Sequence, residues 1–283
     1  MPELPEVESI RIYIHDLIIG KEIKSIDVFA TRMIIGDQNN LINAKVHNTY
    51  RKGKVLSIHF KKNGEDLHAS FHLKLSGQIL YAENKDNAKF KRIIPRAKSD
   101  IMPGASTRII IYFKDNSAIY FNDIRKLGWM AVSNKPVEPK GVDVLSKDFT
   151  YSFFEKVIKK YNRPVKNTLL NQDLIAGLGN IYTNDALWEA KINPQRKTSS
   201  LNDLQIKTLY KSVVNTINLG IEKKGSSAQD EIYLLPDGTP GQYQHYFKVY
   251  GRKGGNCLGC NDSKIEYIKM QGRGTFYCPN CQK

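Results

Sequence analysis

The first residues of the chain, Met-Pro-Glu-Leu-Pro-Glu-Val-Glu, are those best suited to covalent chemistry. Removal of Met1 makes Pro2 the N-terminus and exposes a secondary amine. An α-amino group titrates near ~8 and a lysine side chain near ~10.4. At about pH 7.5 roughly a quarter of such amines are neutral, against about one lysine in a thousand. The neutral form attacks electrophilic carbon, so Pro2 is a nucleophile that needs little further activation. Glu3 and Glu6 lie close by as proton handlers. A plainer reading is a helix start: Pro5 suits the first turn, and Glu3, Glu6 and Glu8 favour the positive end of the helix dipole. The two readings are compatible, because a helix start also holds a nucleophile rigidly.

All the cysteines lie in the tail, as Cys257-x2-Cys260 and Cys278-x2-Cys281. Paired knuckles at this separation fit a tetrahedral zinc held by four thiolates. A module this short, from Tyr250 to the end, cannot bury enough core to fold alone, and a metal supplies what is missing. Two disulfides in an oxidising compartment are the other option. The lack of a secretion signal and of further cysteines favours one structural Zn2+. Lys248, Arg252, Lys253, Lys264, Lys269, Arg273 and Lys283 face only Asp262 and Glu266, so the tail is built to grip phosphate. A further cluster, Ala176-Gly177-Leu178-Gly179-Asn180-Ile181-Tyr182, leads glycines into a helix and offers backbone N–H groups to a phosphate. Taken alone, that fragment reads more simply as a glycine-containing turn between helices.

These groups need a frame. Apolar residues at Val7, Ile10, Ile14, Leu17 and Ile18 have helical spacing, with Gly20 as a stop. Strand-like segments follow at 22–30, 45–50, 55–60, 67–73, 78–82, 107–113, 118–121 and 129–132. Lys62-Asn63-Gly64 and Lys114-Asp115-Asn116 read as hairpin turns, and the spacing predicts a β-sandwich or barrel. Residues 83–106 are polar and basic and read as a loop. After a proline-rich linker at 134–140 the period changes, predicting helices at 153–161, 166–170, 181–190 and 201–223. Residues 225–241 are rich in Gly, Ser and Pro and read as a mobile loop. The fold class is therefore α+β with several domains: 1–134 a β-sandwich with a flanking helix, 135–224 helical, 225–249 loop and connector, 250–283 a zinc finger.

The chain carries 43 Lys+Arg against 28 Asp+Glu, a net charge of +15. That excess favours a polyanionic partner. No apolar run reaches the ~18 residues of a membrane span, and the acidic start has no signal-peptide core behind it. A cytoplasmic protein that meets nucleic acid is expected.

Together, the N-terminal Pro-Glu-Leu-Pro-Glu-Val-Glu, the Gly-Leu-Gly-Asn-Ile-Tyr turn and the tail Tyr-Gly-Arg-Lys-Gly…Cys-x2-Cys…Gly-Arg-Gly-Thr-Phe-Tyr-Cys-x2-Cys-Gln-Lys resemble formamidopyrimidine-DNA glycosylase, end to end and in the same order. The resemblance implies a two-layer β-sandwich, a helix–two-turn–helix domain and a zinc finger, acting as a monomer on damaged double-stranded DNA. Its implied activity is excision of oxidised purines, chiefly 8-oxoguanine and formamidopyrimidines, followed by strand cutting through β,δ-elimination. By position, Pro2 would attack the anomeric carbon of a flipped-out nucleotide, forming an iminium that serves as an electron sink. Glu3 would pass a proton to the sugar ring oxygen, and Glu6 would hold the N-terminus. Lys54 matches the lysine assigned to β-elimination and Arg273 the arginine of δ-elimination. His72, Lys166 and Asn180 match phosphate contacts. The loop at 225–241 falls where the family folds over an everted 8-oxoguanine. In a bacterium the protein would be nucleoid-associated.

Several positions depart from the family pattern. Leu75, Arg125 and Leu127 stand where Met, Arg and Phe fill the hole left by the flipped base, and an aliphatic wedge stacks on bases less well than an aromatic one. Asp123-Ile124-Arg125-Lys126 replaces Asp-Pro-Arg-Arg, Lys74 stands where glycine is common, and the strand at Thr107 lacks its usual histidine. The alternatives are an endonuclease VIII-like enzyme for oxidised pyrimidines, a non-catalytic damaged-DNA-binding protein and a zinc-ribbon RNA-binding protein.

Overall fold

A computed structural model describes residues 2–90, 101–227 and 233–283. The expected loops at 83–106 and 225–241 therefore lie partly outside the described residues, at 91–100 and 228–232. The chain divides into two compact units, Met1–Glu138 with Lys223–Gln244, and Pro139–Glu222 with His245–Lys283.

The first unit opens with helix α1 (Leu4–Ile18), whose Val7, Ile10, Ile14 and Ile18 are fully buried. Each such side chain stabilises by about 1.5–3 kcal/mol when removed from water. A capping box starts the helix: the Glu3 side chain accepts from the N3 amide while Glu6 Oε2 accepts from Glu3 N at 2.7 Å. The strands are β1 (Ile23–Val28), β2 (Ile34–Ile35), β3 (Lys45–Lys52), β4 (Val55–Lys62), β5 (Glu65–His72), β6 (Gly77–Ala82), β7 (Thr107–Phe113), β8 (Ala118–Asp123) and β9 (Trp129–Ser133). They form a four-stranded sheet, β1-β7-β8-β6, and a five-stranded sheet, β2-β9-β5-β4-β3. All pairings in these two sheets are antiparallel except the short β2–β9 contact, and tight hairpins join β3 to β4, β4 to β5 and β7 to β8.

Alternation decides which side chains meet. Leu56, Ile58 and Phe60 of β4, Phe71 of β5, and Ile119 and Phe121 of β8 share one core with α1. Tyr233 and Leu235 belong to the same core, so Lys223–Gln244 is part of this unit. The opposite face of the four-stranded sheet is covered as well: Leu80, Ile110 and Tyr120 pack against Ala88, Phe90 and Met102. The stretch expected to be only a loop thus lays apolar side chains on the sheet, and β8 is buried along its whole length.

The second unit contains α2 (Tyr151–Lys160), α3 (Val165–Leu169), α4 (Asn180–Glu189) and α5 (Asp203–Glu222), with a parallel bridge between β10 (Val142–Asp143) and β11 (Ile175–Ala176). Its tail forms a hairpin, β12 (Glu266–Met270) and β13 (Arg273–Tyr277). Among the described residues no helix is long and apolar enough to cross a membrane.

Candidate active site and nucleic-acid contacts

In the first unit Pro2 is buried and Glu3 and Glu6 are almost wholly so. Glu6 is a two-sided clamp. One oxygen holds Glu3 N and the other accepts from Ser226 N at 2.7 Å, tying the chain start to the base of the 225–241 segment. Gly225 makes that approach possible: at φ +73°, a Cβ there would lie 2.9 Å from Glu6 Oε1. Tyr233 Oη donates to Lys224 O and Ser227 Oγ accepts from Gly241 N, closing the segment on itself. Burial beside the Glu6 charge pushes the Tyr233 phenol well above its ordinary value, so it stays a donor.

Lys54 sits on the turn between β3 and β4, after Gly53 at φ +59°, and is mostly buried. Arg51 braces that turn by donating to Gly53 O at 3.1 Å and to Glu8 of α1 at 2.9 Å. His72, at the end of β5, has its pKa lowered to about 4, chiefly by burial and further by the charges of Lys74 and Lys54. It is therefore neutral near pH 7. Its Nδ1 accepts from Lys74 N at 3.0 Å, which fixes the tautomer and leaves Nε2–H as a donor.

Leu75, Arg125 and Leu127 are all exposed, on the two turns that follow β5 and β8. Both turns contain a lysine in the left-handed region, Lys74 at φ +50° and Lys126 at φ +54°. The glycine common in the family at the first of these positions has a plain steric reason.

In the second unit Asn180 Nδ2 donates to Gly274 O at 2.9 Å, next to Arg273, which is exposed at the start of β13. Lys166 is fully buried, and its ammonium donates to Gly274 O, Thr275 Oγ1 and Asn184 Oδ1. That geometry makes Lys166 a brace beneath the hairpin rather than an exposed phosphate contact. Asn184, which the sequence reading did not single out, also accepts from Phe276 N and donates to Asn180 O. Its i+4 relation to Asn180 was the available signal. Gly179 caps α4 without a side-chain bond, while Gln172 holds the glycine turn through Gly177 N and Leu178 O.

The four cysteine sulfurs lie within 4.8 Å of one another, with Cys257–Cys281 at 3.7 Å and Cys260–Cys278 at 3.8 Å. These spacings are far too long for disulfides and match the edge of about 3.8 Å for a tetrahedron with Zn–S bonds near ~2.3 Å. Trp188 Nε1 and Gly259 N both donate to Cys257 Sγ, the kind of outer bonding that steadies a thiolate. The donor set and its geometry fit a zinc site.

A buried proline at position 2 beside two buried carboxylates, a helical unit with a glycine-led helix start and a tail of four clustered cysteines are the features of a DNA glycosylase of the helix–two-turn–helix class. Residues 1–130 match the formamidopyrimidine-DNA glycosylase N-terminal domain, and residues 140–231 match the H2TH domain of the same enzymes. The formamidopyrimidine-DNA glycosylase of Listeria monocytogenes is 33% identical over the full length of both chains. The solved Fpg protein of Thermus thermophilus superposes with a TM-score of 0.85 at 28% identity, covering 99% of this chain and 98% of its own. The Lactococcus lactis Fpg, solved in complex with DNA containing an abasic site, gives 0.82 at 29% identity over the whole of both chains. The chain belongs to the formamidopyrimidine-DNA glycosylase family: it is a DNA repair glycosylase with abasic-site lyase activity.

Proposed function

We propose that this chain excises oxidised purines from damaged double-stranded DNA with Pro2 as nucleophile, and then cuts the strand by β,δ-elimination. The observation that carries the reading is the start of α1, where Pro2 is buried and Glu6 clamps Glu3 N and Ser226 N together. With Met1 removed, the Pro2 nitrogen attacks C1′ of an everted nucleotide as the bond to the base breaks. The proton shed by the nitrogen leaves with the base. Glu3 gives a proton to O4′ as the ring opens, and the nitrogen lone pair forms an iminium with C1′. Loss of a C2′ proton, beside Lys54, expels the 3′ phosphate, and a second elimination assisted by Arg273 expels the 5′ phosphate.

The other residues hold DNA. Neutral His72 donates to a phosphate through Nε2–H, Asn180 and the α4 start bind another, and Leu75, Arg125 and Leu127 fill the space of the flipped base. Lys166 acts through the hairpin that bears Arg273. Cys257, Cys260, Cys278 and Cys281 hold one Zn2+, which stabilises the finger and takes no part in the chemistry. The functional divisions are 1–134 for chemistry, 135–224 for DNA binding, 225–249 for the lesion and 250–283 for the finger. The enzyme works as a monomer, in the cytoplasm or nucleoid.

Borohydride trapping tests this. Protein with a free Pro2 is expected to cross-link to duplexes carrying 8-oxoguanine and far less to those carrying oxidised pyrimidines, while Pro2→Gly binds but excises slowly. Unchanged single-turnover excision by Pro2→Gly would remove Pro2 from the mechanism, and preferential trapping on pyrimidine lesions would move the enzyme to the endonuclease VIII-like reading.

A further inference from the structure

The two turns that carry Leu75 on one side, and Arg125 and Leu127 on the other, share a single buried anchor. Asp123 ends β8 and is fully buried. One of its carboxylate oxygens accepts from Ser76 Oγ and from Arg125 N at 3.0 Å. The other accepts from Leu127 N and Gly128 N, both at 2.8 Å. Arg125 N lies within 3.2 Å of Ser76 Oγ as well, closing a triangle between the turns. The Asp123 main chain is fixed from the far side, its N donating to Ser106 O and its O accepting from Arg108 Nε. Around this anchor Leu75, Ile124 and Leu127 stand exposed, although each is apolar.

We infer that Asp123, with Ser76, is the positioning residue that makes these two turns one rigid wedge for the duplex. The inference rests on the proposed role of Leu75, Arg125 and Leu127 in filling the space of an everted base. A wedge must unstack neighbouring bases, and side chains on turns free to swing would lose that work to ordering. A carboxylate suits the task because it accepts at both oxygens. An amide of the same shape accepts at only one and sets its NH2 against two N–H donors. The partner recognised is a base stack interrupted at one position, and Ile124 joins the surface that meets it.

Asp123→Asn keeps the size and changes only the bonding. A duplex with an uncuttable abasic analogue opposite 2-aminopurine reads the wedge directly, because its fluorescence rises when the opposite base is unstacked. At saturating protein, Asp123→Asn is expected to lose most of that rise. Its excision of 8-oxoguanine from duplex should fall roughly tenfold further than its cutting of a single-stranded abasic oligonucleotide, which has no stack to open. Ser76→Ala, which removes the two bonds of that hydroxyl but leaves Arg125 N its bond to Asp123, should lie between it and the parent. A full fluorescence rise in a folded Asp123→Asn would overturn the inference, as would equal loss on both substrates. Leu127→Ala separates the two readings. If it abolishes the rise while Asp123→Asn keeps it, only the role of Asp123 falls; if it keeps the rise, the wedge itself is wrong and this inference goes with it.

Discussion

The N-terminal sheets and the cysteine hairpin both present site residues on turns, yet they are held by different physics. Lys54, His72 and the Asp123 turn rest on an apolar core drawn from α1 and both sheets. The hairpin bearing Arg273 has a core of little more than Val249, Ile265, Cys257 and Cys278. It makes up the difference with four cysteines clustered so as to fit a zinc ion and with a polar lattice of Lys166, Asn180 and Asn184. Burial of oily surface tolerates small errors, whereas a metal and a lattice of buried hydrogen bonds fail when one member is removed.

Removing zinc is the largest perturbation of this contrast. A structural zinc contributes about 10–16 kcal/mol to a small module that has little else. Chelation of the whole protein should deprotect the amides of β12 and β13 in hydrogen exchange and cut DNA affinity by about a hundredfold or more. The amides of β4, β5 and β8 should keep their protection. Loss of protection in both units together would show that the sheets do not stand on their own core.

Lys166→Met probes the lattice instead of the metal. The variant relieves a buried charge but takes from Thr275 Oγ1 the donor it accepts from, at about 1–3 kcal/mol, while Asn184 Oδ1 loses one bond and keeps that from Phe276 N. Gly274 O keeps its bond from Asn180. The finger should still bind zinc, release it to a chelator about tenfold faster, and bind DNA correspondingly less tightly. Zinc release at the parent rate would reduce the lattice to decoration.

Much of this contrast is readable in the sequence, and the rest is hidden for identifiable reasons. Helix α1 is legible because Val7, Ile10, Ile14 and Ile18 repeat at helical spacing, and the cysteines because their spacing is itself the ligand geometry. The strands of the sandwich are likewise close to where alternation and turns put them. What sequence could not give is contact between distant residues. Nothing near Glu6 points to Ser226, and nothing near Asp123 points to Ser76. Residues 83–106 misled through average polarity: Phe90 and Met102 are scattered among charges, yet they cover a sheet face. Tyr233 and Leu235 were masked in the same way by the glycines, serines and prolines around them.

His72 gives a smaller, pH-resolved test inside the apolar region. Its pKa is about 4 in the folded protein against an ordinary value near ~6.5, so the folded state resists a proton that the unfolded chain accepts. Stability is full above the unfolded value and is lost as pH falls from about 6.5 toward 4, by on the order of 3 kcal/mol in all. His68 is lowered as well, chiefly by burial and next by the neighbouring His59, and it contributes to the same limb. The difference between parent and His72→Gln in urea midpoints across that range isolates His72. Parallel curves would mean that its ring is more hydrated than its surroundings imply.

The smallest expected effect is at Lys74, and it joins strain to electrostatics. Holding a side chain at φ +50° costs about 1–2 kcal/mol, while glycine loses about 0.5–1 kcal/mol more chain entropy on folding. Lys74→Gly should therefore stabilise the protein by only a few tenths of a kcal/mol to about one. The bond from the residue 74 amide to His72 Nδ1 belongs to the main chain and survives the change. The ammonium does not, and its charge is one of the causes holding His72 down. The His72 pKa should thus rise in Lys74→Gly while its tautomer stays the same, which a proton NMR titration of the ring can follow. Lys74→Ala removes the same charge but keeps the strain, so it should raise the His72 pKa equally without the gain in stability. If both variants gained stability alike, charge repulsion and not backbone strain would be what this turn bears.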